Sequence, residues 1–265
     1  MSPTFLNDSP KRHSLKRTQP QVSSSELEPG DPAAARRRAE LAGNLAEVRD
    51  RISAACDAAG RGPGELTLIA VTKTRPASDV RLLSGLGVTD VGENRDQEAA
   101  PKAAACADLA LTWHFIGQLQ TNKASHVIRY ADVVHSVDRG RLVRALGAAA
   151  RSADRLVSCL IQVSLDGDPS RGGVPAAGVP EVAEQIEAEA GLRLGGVMAV
   201  APLGMAPAEA FTALRKCSDS ARSVRPGATI ISAGMSGDLE PAIECGATHL
   251  RIGTALLGAR RPPVM

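Results

Sequence analysis

Lys73 is the first residue of this chain whose type and setting could do chemistry. It directly follows residues 66–72 (LTLIAVT), a β-branched run that reads as a strand. At the C-terminal end of a buried strand, an ammonium group is partly desolvated, and burial disfavours its charged form. The neutral amine is a nucleophile toward carbonyls. A surface lysine at a strand end is the plainer reading of the same position. Two further segments, 232–238 (SAGMSGD) and 251–254 (RIGT), each leave a strand and open a helix. Gly234, Gly237 and Gly253 let backbone N–H groups approach an anion, and Ser232, Ser236 and Thr254 can add hydroxyl donors. Ordinary helix capping would use the same residue types.

A third group is less pointed. Glu93 and Asn94 follow the second predicted strand, as a candidate acid/base and a candidate ligand-lining residue. His114 and Gln118 flank the end of the third, where a lone histidine reads more simply as a satisfied interior residue. Asn122 and Lys123 fit a capped first turn. His135 and Asp138 lack a partner at metal-ligand spacing and receive no ligand role. Met198 ends the sixth strand, as core packing or a wall against a flat ring.

The elements that must position these residues alternate. Strands are predicted at 66–72, near 90–92, and at 112–116, 132–137, 157–165, 193–200, 229–232 and 249–252. Helices are predicted from about Ala77, Arg95, Lys123, Asp138, Pro180, Pro207, Asp238 and Thr254. Strand–helix alternation implies a parallel sheet, and a count of eight favours a closed barrel over an open doubly wound sheet. The predicted fold is α/β, a single (β/α)8 TIM-type barrel. An added N-terminal helix starts near Asp31 and Pro32, with Leu41, Leu45, Val48, Ile52 and Cys56 as its apolar stripe. The domain reading is a disordered tail over 1–31, rich in Ser, Pro, Lys and Arg, and a barrel over 32–265. In such a barrel the loops after strands seven and eight are the common phosphate site. An amine and a phosphate cradle in one mouth suit a phosphorylated aldehyde, whether pyridoxal 5'-phosphate (PLP) or a sugar phosphate.

Composition narrows the function classes. Across 265 residues, 31 Lys and Arg nearly balance 29 Asp and Glu, which gives no reason to expect nucleic acid or an anionic membrane as partner. Aromatics are 2%, too few for base-stacking platforms. The five cysteines form no CxxC pair, so neither a disulfide framework nor a zinc site is expected. No apolar run approaches membrane-spanning length and no signal-peptide core opens the chain, so a cytoplasmic protein is expected.

Taken together, LIAVTKTRPASDV, DVGENRDQEAAPK, WHFIGQLQTNKA, HSVDR, GLRLGGVMAVAP and SAGMSGDLEPAIECGATHLRIGTALLGAR resemble the YggS/PROSC family of PLP homeostasis proteins, relatives of the N-terminal barrel of alanine racemase. The resemblance runs in order from about residue 35 to 260. It implies PLP as cofactor, held as a Schiff base on Lys73, with the phosphate on 232–237 and on Gly253 and Thr254. It implies Arg251 near the pyridine nitrogen, and Asn94 and Met198 at ring-lining positions. Arg95 stands where the family commonly has an aromatic residue, so it is not expected as a ring contact.

The same resemblance separates a carrier from an enzyme. Two-base racemisation needs an acid/base opposite the lysine, which alanine racemase takes from a tyrosine of a second domain. Here the chain ends soon after the eighth strand, and its one tyrosine, Tyr130, is predicted at a helix end away from the mouth. The expectation is a PLP carrier that maintains the cofactor without robust catalytic turnover, with apo PLP-dependent enzymes as recipients, and a monomer is expected. The alternatives are a PLP-dependent amino-acid racemase and a cofactor-free aldolase using Lys73 and Glu93.

Overall fold

A computed structural model describes residues 32–259. The expected tail, its cap Asp31 and the last six residues lie outside the described residues. Eight strands pair in parallel, each with its neighbour in sequence, and β8 returns to β1 to close the barrel. They are β1 (Thr67–Val71), β2 (Asp90–Glu93), β3 (Thr112–Phe115), β4 (Val133–Val137), β5 (Val157–Gln162), β6 (Leu192–Met198), β7 (Ile230–Ser232) and β8 (His249–Ile252). The (β/α)8 expectation holds. The predicted strands ran a residue or more too long at several ends. Some of the excess residues are apolar and pack just past the strand ends, as Val163 does at 4% exposure.

The first helix, α1 (Pro32–Ala58), buries the five residues of the predicted stripe. It packs outside the barrel against α8 (Leu239–Glu244) and α9 (Thr254–Leu257). Between them run α2 (Ala77–Ser84), α3 (Asp96–Ala105), α4 (Ala124–Val127), α5 (Gly140–Ser152), α6 (Val179–Glu187) and α7 (Pro207–Val224). The main core lies between strands and helices, where Ala70, Phe115, Val134, Ile161, Val197 and Leu250 meet Leu83, Leu146, Ile186 and Leu214. A smaller cluster of Val133, Leu160, Met198 and Ile230 lies in the barrel interior. This is the division expected of a barrel whose strands alternate inward and outward side chains. Asn44 of α1 donates to the Leu256 carbonyl, and Arg61 donates to those of Ile243 and Ala247. The N-terminal helix and the turn that follows it thereby brace the two elements that follow β7 and β8.

Candidate functional site at the C-terminal mouth

Lys73 stands two residues past β1 and is half-buried. Ile69 and Val71, of the same parity, converge with Ile116 on the inward side of Gly92. The next residue, Thr74, adopts φ 64°, an unusual backbone for a β-branched residue. Its amide donates to Glu98 of α3 at 2.9 Å, which holds the turn.

β8 lies directly beside β1, pairing Arg251 with Ile69. Arg251 is 5% exposed. Its guanidinium donates to Ser232 Oγ at 2.7 Å and to the Ala199 carbonyl at 2.8 Å. Burial pulls its pKa down to about 10, against the raising effect of Asp238, and the group stays cationic at neutral pH. Two residues on, Gly253 adjoins Val71, so the β8 loop and the lysine loop share one side of the mouth.

The β7 loop forms the adjoining wall. Gly234 has φ +88°, and a Cβ there would sit 2.7 Å from that of Ala242, so both backbone and packing require glycine. Its carbonyl accepts from the Arg251 amide at 2.9 Å. Asp238 caps the loop by accepting from the Met235 amide. Ser236 Oγ accepts from the Ala255 amide at 3.2 Å, which ties this loop to the β8 loop. Arg51 of α1 donates to the Ser236 carbonyl at 3.1 Å. Gly237 faces open space, where a side chain would meet nothing within 4 Å, and Thr254 is exposed beside it. α8 and α9 are too short for a strong macrodipole. What the loops offer an anion is backbone N–H groups and hydroxyls.

Other predicted residues fall in varied places. Asn94 is half-buried past β2, and Gly117 packs against its backbone. Met198 lies in the interior cluster, beneath the mouth. Ser232 is fully buried, with its hydroxyl taken by Arg251 and His135, and so it supports Arg251 from below. Arg95 is exposed and pairs with Glu98. His114 and His135 face each other inside the barrel at 2.9 Å.

Glu93 corrects the acid/base reading. Gly92 points inward, so Glu93 points outward, beneath α3. There it accepts from Lys102 Nζ and from Thr72 Oγ1, while its Oε2 has no hydrogen-bond partner among the described residues. Lys102 also donates to the Thr72 carbonyl at 2.8 Å. Sequence reasoning missed Lys102, whose only signal was a lysine on the barrel-facing side of α3. Tyr130 likewise lies outside the barrel, beside a cleft lined by Ala103, Cys106 and Trp113. Burial, then the nearby Asp96 and Glu93 carboxylates, push its phenol well above the ordinary range.

Among the described residues no cluster of His, Cys, Asp or Glu is arranged to hold a metal ion. No described helix is long and apolar enough to cross a membrane. The five cysteines are free, and burial raises the thiol pKa of Cys56, Cys106, Cys159 and Cys217.

The described residues thus form a closed (β/α)8 barrel of TIM type, with a lysine after β1, a buried arginine on β8 and glycine-bearing loops after β7 and β8. Residues 43–261 match the family model "Alanine racemase, N-terminal domain". A Mycobacterium tuberculosis protein named pyridoxal phosphate homeostasis protein is 44% identical over 245 residues, covering 85% of this chain and 95% of that protein. A homologue of the same name from Escherichia coli is 37% identical, covering 83% and 97%. PipY of Synechococcus elongatus, solved with PLP bound, superposes with a TM-score of 0.72 at 34% identity, covering 82% of this chain and 100% of that one. The chain belongs to the alanine racemase N-terminal-domain family, among its pyridoxal phosphate homeostasis proteins.

Proposed function

We propose that this chain binds PLP in the C-terminal mouth and serves as a carrier that maintains the cofactor for other proteins. The reading is carried by one convergence. Lys73, the Arg251 guanidinium and the stitched loops of Ser236 and Thr254 border a single mouth, through the direct pairing of β1 with β8. A nucleophilic amine, a buried cation and a set of N–H and hydroxyl donors suit a flat, phosphorylated aldehyde. The names and the bound PLP of the relatives support the same ligand.

When bound, PLP supplies an aldehyde that condenses with amines and a ring that withdraws electrons. Lys73 Nζ would hold it as a Schiff base, while Ser236, Gly237, Gly253 and Thr254 would bind its phosphate. Asn94 would line the ring, and Gly234 would set the path of the phosphate loop. Met198 would pack beneath. Arg251 can only donate hydrogen bonds. Facing the ring nitrogen, it would leave that nitrogen unprotonated and weaken the ring as an electron sink. Glu93, which the sequence offered as an acid/base, lies outside the barrel, and so does Tyr130, the one tyrosine of the chain. That supports a carrier over a racemase, and the outward Glu93 removes the carboxylate that an aldolase reading relied on. Apo PLP-dependent enzymes would be the recipients, and the barrel would act as a monomer.

Absorbance spectroscopy with added PLP tests this. Wild type should develop a band near ~420 nm that borohydride traps on Lys73, and Lys73→Ala should lose it. Absence of the band in wild type overturns the ligand. Racemisation or decarboxylation of an amino acid at enzyme-like rates overturns the carrier role.

A further inference from the structure

Below the mouth, polar side chains from four strands run in an unbroken line across the barrel interior to Arg251. Asp90 Oδ1 on β2 lies 2.9 Å from His114 Nε2 on β3. His114 Nδ1 lies 2.9 Å from His135 Nε2 on β4, and His135 Nδ1 lies 3.1 Å from Ser232 Oγ on β7. Arg251 donates to that same oxygen. His114, His135 and Ser232 are at most 2% exposed, so each hydrogen in the line must find an acceptor. Asp90 borders a cleft of about 610 Å³ on the far side of the barrel from the mouth.

We propose that Asp90, His114, His135 and Ser232 are positioning residues, forming a hydrogen-bond chain of one fixed direction, set by the Asp90 carboxylate, that holds Arg251 in the mouth. A carboxylate only accepts, so His114 carries its hydrogen on Nε2. In a neutral ring Nδ1 is then an acceptor, and His135 donates to it from Nε2. That leaves His135 Nδ1 to accept the Ser232 hydroxyl hydrogen, and the Ser232 lone pairs to accept from Arg251. Every group is satisfied with both rings neutral. Burial, then electrostatic interaction with His114, Arg251 and His249, holds the His135 pKa well below the usual range. The reverse direction needs a doubly protonated His114 and strands the Ser232 hydroxyl hydrogen without an acceptor in the line.

The chosen direction points every O–H and N–H away from Arg251 and toward Asp90. The negative ends of these dipoles face the guanidinium, whose own hydrogen-bond partners, Ser232 and Ala199, are uncharged. That the chain thereby tunes the bound ligand rests on the PLP reading above. The chain itself does not.

Nitrogen-15 NMR of histidine-labelled full-length protein without PLP reads the direction. Both His114 and His135 should carry hydrogen on Nε2 alone. Hydrogen on His135 Nδ1, or a doubly protonated His114 at neutral pH, overturns the proposal. In Asp90→Asn an amide can donate as well as accept, so the direction is no longer enforced. His135 should then populate the Nδ1–H form. PLP affinity should fall about fivefold with a displaced absorbance maximum, as for coupling within one network. Wild-type affinity and spectrum in Asp90→Asn would overturn the positioning role. Failure of wild type to take up PLP would instead overturn the ligand reading, and the tautomers would still decide the chain.

Discussion

Lys102 Nζ donates to the Thr72 carbonyl, one residue before Lys73, while the same ammonium pairs with the buried carboxylate of Glu93. One side chain of α3 thus fixes the backbone at the end of β1 and neutralises a charge at the end of β2. Side-chain exposure is 6% for Lys102 and 0% for Glu93, so solvent cannot replace either partner. Lys102→Met should therefore destabilise the fold by about 3–5 kcal/mol, because it strands a buried carboxylate. Adding Glu93→Leu should recover most of that loss. Urea unfolding of the single and double variants measures both, and equal stabilities would contradict the assignment.

The barrel and the position of Lys73 were legible because β-branched runs and amphipathic helices alternate in sequence, and the position of a strand end follows from where its run stops. The role of Glu93 was not legible, because it turns on parity. One residue's difference at the end of β2 decides between the mouth and the helix layer, and strand ends are where a sequence pattern is weakest. The line from Asp90 to Arg251 was out of reach for another reason. His114, His135 and Ser232 are widely spaced in sequence, and only the closed barrel's register sets them end to end. The loops after β7 and β8 were readable in composition. Their brace, Arg51, lies on a helix whose pattern showed only an apolar stripe.

Gly117 should tolerate no side chain. A Cβ there would lie 2.1 Å from the Asn94 carbonyl oxygen, and neighbouring backbone cannot yield as a flexible side chain can. Gly117→Ala should cost about 1–3 kcal/mol, the range of overpacking. It should also displace Asn94 and so weaken PLP binding. Thermal unfolding and a PLP titration check the two effects, and an unchanged melting temperature would show that the loop gives way freely.

Arg51 separates loop support from global stability. Its ion pair with Glu240 is 39% and 48% exposed at the side chains, and pairs so placed contribute little. Its bond to the Ser236 carbonyl positions the loop assigned to the phosphate. Arg51→Met should leave stability within about 1 kcal/mol of wild type, while lowering PLP affinity about two- to fivefold. A loss of stability with unchanged affinity would reverse that division of roles.

Stability should fall as pH drops through the histidine range. His249 is held down to about 4 by burial, with a further contribution from His114, and His135 lies well below its ordinary value of 6.5. Above that value the folded and unfolded chains bind the same number of protons at these sites. Below it the unfolded chain takes up protons that the folded barrel refuses, so stability rises with pH and declines from about 6.5 downward. The His249 contribution levels off near its folded value of about 4. Each such histidine can add a slope of up to about 1.4 kcal/mol per pH unit. Burial works to raise the Asp90 carboxyl, but hydrogen bonds from His114 and Thr89 outweigh it and leave the pKa below 3.8. Its stabilising contribution is therefore lost only at lower pH, with the same sign. Urea midpoints measured from about pH 8 to about pH 5 should decline, and His249→Gln should make the decline shallower. A profile as steep in His249→Gln as in wild type would mean that His249 accepts a proton without unfolding the barrel.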